Sequence, residues 1–364
     1  MKISIITLHS ILNNYGSVLQ GFALCKFLNN NGYDAQVIDY RPEYKTNKTS
    51  VLRSLVIKTT FFPYYIKRTQ KFKNFINKNS KLTQKRYTSY EELNELPPKS
   101  DVYIAGSDQI WNNFFPCGKD SAYYLEFVRT GIKMSYAASL GRDDISVDDL
   151  LMIKEKTKDF KCILVREESG KEQLEKVGVK NVQHVADPVF LLNKEDYIKL
   201  TDDKNNKLIS KYKRYLLVYA VGQDDLLSSV VKKIASELDL KIISIGGFSN
   251  KCECDKFDRT AGPLDFINLI NNAEFVVTSS FHCVAFSLIF MKKFVAVLPS
   301  KNPTRIENIL SAVGLENRII TECNYMNNIL EEIDYNQPNK ALNLYIEKSK
   351  RHLINALENN KQMV

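Results

Sequence analysis

Long apolar runs are missing from this 364-residue chain. No stretch of about 18 uninterrupted apolar residues occurs, so nothing reads as a membrane span. Cysteines are few and poorly placed for cross-linking. The seven (Cys25, Cys117, Cys162, Cys252, Cys254, Cys283, Cys323) are odd in number and mostly lie inside apolar segments, which suits a reducing cytoplasm better than an oxidising compartment. Cys252 and Cys254 form the one close pair. A single residue separates them and no second Cys or His pair lies nearby, so a zinc site is not expected. The opening "MKISIITLHS" has too short an apolar core for a signal peptide and reads as a first strand. Histidine occurs four times and tryptophan once, which keeps the candidates for proton transfer few.

Acidic residues are absent between Glu43 and Glu91, where twelve lysines and arginines stand. The net charge is +9, so the rest of the chain carries −3. Within this basic segment, 45–86, "SLVIKTTFFPYYIKRTQKFKNFINK" interleaves cations with aromatic and apolar residues. Such a face suits anionic lipid headgroups or a polyanionic ligand, although a solvated helix face has the same composition. No RNA-binding signature accompanies it, so nucleic acid is not expected as a partner.

What is present, 44% hydrophobic and 26% charged residues, is the composition of a globular protein long enough for two cores. Short β-rich stretches at 3–8, 35–40, 101–107, 133–139, 161–167 and 182–188 alternate with helical patterns such as 17–30 and 168–177. After a polar connection at 192–214, a second series follows. Strands are expected at 215–221, 241–246, 274–279 and 294–299, and helices near 225–238, 263–272 and 283–291. Near-continuous apolar strands alternating with helices predict parallel sheets covered on both faces. The expected architecture is α/β, with two Rossmann-like domains, 1–195 and 196–337, facing a central cleft. A charged helical pattern in 338–364 is expected to pack back on the first.

Open parallel sheets bind ligands beyond the carboxyl ends of their strands. After the first strand come His9, then Asn13, Asn14, Tyr15 and Gly16, with a helix apolar nearly all round; its N–H groups near Gly16 are placed for an anion. This is not the G-x-G-x-x-G dinucleotide pattern. After 101–107 comes "GSDQIWN", with Ser107, Asp108, Gln109, the single Trp111 and Asn112. Arg166 and Glu167 end another strand, where a cation is costly without an anionic partner. Asp187-Pro188 reads as a turn leaving the domain. "EFVVTSSFHCVAFSLIF" sets Thr278, Ser279, Ser280 and His282 between a strand and an apolar helix, a suitable place for a general acid or base. In "LPSKNPTRIENIL", Lys301 and Arg305 flank Pro303, and Thr304-x-x-Glu307 has the form of a capping box. The residues alone lead to a phosphorylated small molecule in the cleft.

Seven motifs in order, "NYGSVLQGFALCKFL", "IDYRP", "DVYIAGSDQIWN", "SYAASLG", "VREESG", "DPVFLL" and "TSSFHCVAFSLIF", resemble the polysaccharide pyruvyl transferase family over roughly residues 3–325. The resemblance implies a fold like the GT-B glycosyltransferases. It also implies transfer of pyruvate from phosphoenolpyruvate to a sugar of a cell-surface polysaccharide or its lipid-linked precursor, as a ketal. Phosphoenolpyruvate is then a co-substrate, and neither a cofactor nor a metal is required. His282 matches the family histidine. Relatives often carry arginine at the place of Ser280 and glycine at that of Cys283, so Arg166, Arg305 or Lys301 has to hold the anion.

On this resemblance His282 and Asp108 are the catalytic candidates, with Asp108 as base on the sugar side. Arg166, Ser280, Lys301 and Arg305 are expected to bind phosphoenolpyruvate, with the C-terminal domain as the donor side. Asn14, Tyr15, Gly16, Ser107 and Gln109 are expected to bind the acceptor on the N-terminal side. With a polyprenyl-pyrophosphate-linked acceptor, the basic segment 45–86 would give a cytoplasmic enzyme a peripheral hold on the inner leaflet. Two alternatives stand beside this. One is a GT-B glycosyltransferase using a nucleotide sugar, for which Glu274 or Asp265 would have to serve the ribose. The other is a non-catalytic glycan-binding member of an assembly complex.

Overall fold

The computed structural model describes residues 1–9, 14–44, 62–201, 207–221, 225–247, 250, 252–298, 304–321 and 330–358. Lys301, Asn13, Pro303, Cys323 and the cations of 45–61 lie outside the described residues.

The first half contains β1 (Lys2–Ile6), α1 (Tyr15–Asn30), β2 (Asp34–Tyr40), α2 (Phe62–Asn79), β3 (Leu82–Tyr87), α3 (Tyr90–Glu95), β4 (Val102–Ala105) and β5 (Ile132–Ser135). Its five strands are all parallel, in the order β3-β2-β1-β4-β5. After α4 (Val147–Lys156), the pair β6 (Ile163–Val165) and β7 (Val182–His184), joined by α5 (Glu168–Lys176), continues this sheet through single bridges from Ala138 and Lys133. The centre of the sheet is β1, with four of five residues buried, and it needs covering on both faces. Helix α1 supplies one cover: 13 of its 16 residues are buried, so it is a core helix rather than an amphipathic one.

Two short helices, α6 (Lys194–Ile198) and α7 (Lys207–Lys211), lead to the second half. There β8 (Tyr215–Tyr219), α8 (Asp225–Glu237), β9 (Lys241–Ile245), β10 (Lys256–Asp258), α9 (Pro263–Asn272), β11 (Phe275–Thr278), α10 (Phe281–Ile289), β12 (Lys293–Val297), α11 (Thr304–Ala312) and β13 (Ile319–Ile320) follow. The sheet is again all parallel, ordered β10-β9-β8-β11-β12-β13. These are the two Rossmann-like halves that the alternation predicts. In each, the strand order reverses beside the first strand, where ligands of open α/β sheets bind.

Three edge strands, β3, β10 and β13, were not expected. β3 reads "LTQKRY", with three of six residues exposed, so it lacks the apolar signature of a covered strand. The expected strands at 101–107, 133–139, 161–167 and 182–188 end four residues early for β5 and β7, and two early for β4 and β6. Their terminal polar residues therefore lie in loops above the sheet. Helix α10 begins at Phe281, placing His282 in its first turn.

The halves meet through a dry aromatic contact. The Tyr15 ring stacks on Phe266 of α9 at 4.5 Å and on Phe72 of α2 at 5.4 Å, and Tyr219 meets it edge-on at 5.1 Å. Its hydroxyl donates to the Ala261 carbonyl (3.0 Å). Such ring pairs contribute about 0.5–1.5 kcal/mol each beyond their buried area. Helix α2 adds polar clasps: Arg68 donates to the Gly246 carbonyl, and Lys71 pairs with Asp265 at 2.6 Å. The final helix, α12 (Asn336–Glu358), spans both halves. Tyr335, just before it, bonds the Lys292 carbonyl (2.5 Å), while Ser349 accepts from the Ala186 amide (2.9 Å).

Candidate active site

Helices α1 and α10 point their N-termini at one another across the join. Asn14 caps α1 by accepting from the Ser17 amide (3.1 Å). Ser280, at the corresponding place before α10, makes no side-chain cap. The imidazole of His282 lies directly against Gly16. A Cβ built on Gly16 would fall 1.9 Å from His282 Nδ1, so no larger residue fits while the ring stays in place.

His282 Nε2 is sealed from solvent without a hydrogen-bond partner among the described residues, and it faces the Asp187 carboxylate at 3.5 Å. At that distance no hydrogen bond is formed between them. Asp187 is the hub of the site. Its Oδ2 accepts from Arg166 Nη1 (2.9 Å) and Ser107 Oγ (3.1 Å), and its Oδ1 accepts from the Val189 amide (3.1 Å). Burial opposes its charge, yet His282 and Arg166 hold the carboxyl well below the usual range. Arg166 also donates to Glu167 through Nε (3.1 Å), and Glu167 accepts from Ser139 (2.6 Å). Although burial works against the guanidinium, Glu167 and Asp187 keep its pKa above the ordinary value. Arg166 Nη2 and Glu167 Oε2 are nevertheless buried with no partner among the described residues.

A small cavity opens here, lined by Arg166, Glu167, Asp187, Phe281, Arg305 and Tyr345 among others, with room for about 20 Å³. That volume holds one water. Arg305 reaches it from α11. Its Nε is buried without a partner among the described residues, and burial, followed by the like charge of Arg166, pushes its pKa down. Behind the cavity, Tyr345 bonds His184 Nε2 (2.8 Å), whose Nδ1 faces Glu168 at 2.9 Å.

A larger pocket of about 550 Å³ lies on the other side, within the first half, at the carboxyl ends of β1, β2 and β4. Asn14, Asp108 and Gln109 line it together with tyrosines. Asp108 has a left-handed backbone (φ 74°), a strained conformation that a side chain accepting from the next amide makes tolerable, and it accepts from Gln109 N at 2.9 Å.

The candidates named from sequence therefore divide. His282, Arg166 and Arg305 converge with Gly16 and Ser107; Asp108, Gln109 and Asn14 line the neighbouring pocket. Tyr15 is fully buried and faces the interdomain stack rather than a ligand, because its ring is needed between Phe72 and Phe266. Gly16 backs the His282 ring, and Ser107 orients Asp187, so neither lines the acceptor-side pocket. Ser280 is 9% exposed and lines none of these cavities. Thr304 begins α11 inside the helix, and its hydroxyl donates to Asp143 across the join. Asp187 was read as a turn residue; its pairing with Arg166 and His282 depends on strands distant in sequence, and only the Asp-Pro dipeptide is visible locally. Trp111 is core, fully buried, with Nε1 donating to the Tyr123 carbonyl (3.1 Å). Glu274 and Asp265, the carboxylates considered for a ribose, are taken up by Arg214 and Lys71.

Within the basic segment, Arg68 is buried and Lys71 paired, so those cations hold the halves together. Lys67, Lys73 and Lys78 stay exposed, as do Phe62, Tyr64 and Ile66 at the start of α2. Among the described residues no helix is long and apolar enough to cross a membrane, and no cluster of three or more metal-ligating side chains occurs.

Residues 14–301 match the family model for polysaccharide pyruvyl transferase. No curated protein sequence matches the chain. Solved structures share its fold at low identity. A UDP-bound MnaA from S. aureus superposes with a TM-score of 0.57 at 14% identity, over 100% of this chain and 97% of its own. The UDP-GlcNAc 2-epimerase of Methanocaldococcus jannaschii, solved with UDP-GlcNAc and UDP, gives 0.53 at 16% identity, over 98% and 99%. Anabaena HepE with UDP and glucose gives 0.52 at 9% identity, over 99% and 100%. The shared architecture is GT-B.

Proposed function

Because the chain belongs to the polysaccharide pyruvyl transferase family, we propose that it moves pyruvate from phosphoenolpyruvate onto two hydroxyls of a sugar in a polysaccharide or its lipid-linked precursor. The observation that carries this reading is the pair of buried guanidinium nitrogens without partners, Arg166 Nη2 and Arg305 Nε, in one cavity beside the His282–Asp187 pair. Phosphoenolpyruvate bears a carboxylate and a phosphate, and arginine forks are suited to both. Arg166 is already neutralised by Asp187 and Glu167, so Arg305 supplies the uncompensated charge. The uncapped N-terminus of α10 adds partial positive charge at Ser280, and Lys301 remains a proposed third cation. Since the cavity as closed holds a water rather than the donor, loading requires α11 to move Arg305 away from Arg166.

The reaction balances without an external proton or redox partner. Two sugar O–H groups add their oxygens to C2 of the enol, and the bond from C2 to the bridging phosphate oxygen breaks. One proton ends on C3, making the methyl group, and the other leaves with hydrogen phosphate. His282, with Nε2 facing Asp187 and Nδ1 on the Gly16 side, is the proposed proton carrier of the reaction. Asp187 orients the ring and stabilises its charged form. Asp108, in the acceptor-side pocket, is the proposed base for a sugar hydroxyl. The scheme uses cationic side chains and no metal. The exposed Lys67, Lys73, Phe62 and Tyr64 face of α2 is the proposed peripheral membrane contact, at the cytoplasmic leaflet where lipid-linked saccharides would be met.

The test is turnover followed by ³¹P NMR, with phosphoenolpyruvate and a lipid-linked saccharide extract. Equimolar loss of the enol phosphate and gain of inorganic phosphate, with a new ketal methyl signal, is expected. Consumption of an added nucleotide sugar with phosphoenolpyruvate untouched would favour the glycosyltransferase alternative. Binding of the glycan with no turnover of either donor would favour the non-catalytic one.

A further inference from the structure

Resting on the pyruvyl-transfer reading, we infer that the final helix belongs to the donor site. The hydroxyl of Tyr345 is a further hydrogen-bond donor to the anion in the arginine cavity, and His184 governs whether its proton is free. Tyr345 lines that cavity with Arg166 and Arg305. Its place is fixed. Ser349, one turn on, donates to the Tyr345 carbonyl (2.7 Å) and accepts from the Ala186 amide (2.9 Å), which pins α12 beside Asp187. When α11 moves to admit the donor, Tyr345 therefore stays with Arg166 and Asp187 as a standing wall. The His184 ring lies against it, with 5.2 Å between centroids.

The hydrogen bonds around His184 have two solutions. Its Nδ1 faces Glu168 at 2.9 Å, and its Nε2 lies 3.1 Å from the Arg166 carbonyl and 2.8 Å from the Tyr345 oxygen. Burial opposes the Glu168 charge, but Lys171 and His184 hold its carboxyl below the usual range, so Nδ1 keeps its proton on that side. Neutral His184 then has a bare Nε2, which accepts the Tyr345 proton while facing the lone pairs of the Arg166 carbonyl. Protonated His184 donates from Nε2 to that carbonyl, and the Tyr345 O–H is released to turn into the cavity. An anion there favours the second arrangement twice, through the hydroxyl and through the added positive charge. Burial pulls the His184 pKa below its ordinary value, with Glu168 and Glu167 opposing, so the neutral ring prevails near pH 7 without an anion. The side chain is 20% exposed, so a proton reaches it from solvent. The charges around the pair are Glu168 and Lys171 of α5, Glu167 before that helix, and Lys348 of α12. Anion binding thus takes up a proton at His184. The Tyr345 contribution grows as pH falls below about 6.5 and fades above it.

Calorimetric titration of the full chain with phosphoenolpyruvate, and separately with inorganic phosphate, tests this at about pH 5.5 and about pH 8. Wild type, Tyr345→Phe and His184→Gln are compared, each checked for folding by thermal melting. The titration of the ligands themselves is common to all three proteins, so the ratio of wild type to variant isolates the tyrosine. Tyr345→Phe is expected to bind about tenfold more weakly than wild type at the lower pH and within about twofold of it at the higher. His184→Gln is expected to show a weaker pH dependence than wild type, and it decides alone if the phenylalanine variant melts early. A ratio for Tyr345→Phe that is the same at both pH values, including a ratio of one, would overturn the inference. So would an unchanged pH dependence in His184→Gln, or no binding of either anion. Phosphate binding with the expected pattern, in a protein that does not bind phosphoenolpyruvate, would leave the Tyr345 site standing and remove the donor assignment.

Discussion

The two helix N-termini that meet at the centre are finished differently. Helix α1 is closed by Asn14, which satisfies the Ser17 amide within the protein. Helix α10 starts at Ser280 with no side-chain cap, beside Arg305 and an Asp187-held histidine. Asn14 satisfies one amide of α1, whereas α10 has no side-chain cap and lies near guanidinium nitrogens that have no partner among the described residues. The contrast puts the proposed anion beside α10, where Arg166 and Asp187 of the first half meet Arg305 of the second.

The contrast breaks most sharply at the histidine. His282→Ala is expected to lower the transfer rate by about 10²–10⁴-fold with melting unchanged, as for loss of a general acid or base. A loss below about tenfold in a folded protein would make the ring a packing element. Gly16→Ala comes next, since its methyl group occupies the ring's position and displaces it. A misplacement of about 1 Å costs up to about 10²-fold in rate, measured as kcat with donor affinity followed separately. If α1 serves only as scaffold, kcat will stay within a few-fold of wild type. The smallest effects compare the caps themselves. Asn14→Ala is expected to cost about 1 kcal/mol of unfolding free energy, whereas Ser280→Ala, removing no cap, should stay within about 0.5 kcal/mol. Equal losses in denaturant titration would erase the distinction between the two termini.

Much of this was legible in the chain. Parallel sheets followed from strands such as "YLLVY" and "FVVT", apolar on both faces, and α9 matches the helix expected near 263–272. His282, Arg166 and Arg305 stood out because cations and histidines at strand ends need partners. Asp187 did not, because an Asp before Pro has a sufficient local explanation as a turn. The tyrosine-walled pocket was illegible for a related reason. Tyr40 ends β2, Tyr44 follows it and Tyr123 comes from a turn some eighty residues on, and nothing in their spacing announces that the first two share Asp120. The basic segment was legible as charge but not as contact; that Arg68 and Lys71 clasp the second half depends on where α2 packs.

The most direct measurement is a calorimetric titration of phosphoenolpyruvate into wild type and Arg305→Ala, with UDP-, GDP- and TDP-sugars as the comparison. Wild type is expected to bind phosphoenolpyruvate, and the variant to bind it at least about tenfold more weakly, the loss of one charge-assisted contact. Equal affinity in both proteins would contradict the anion assignment, and binding of a nucleotide sugar alone would contradict pyruvyl transfer itself.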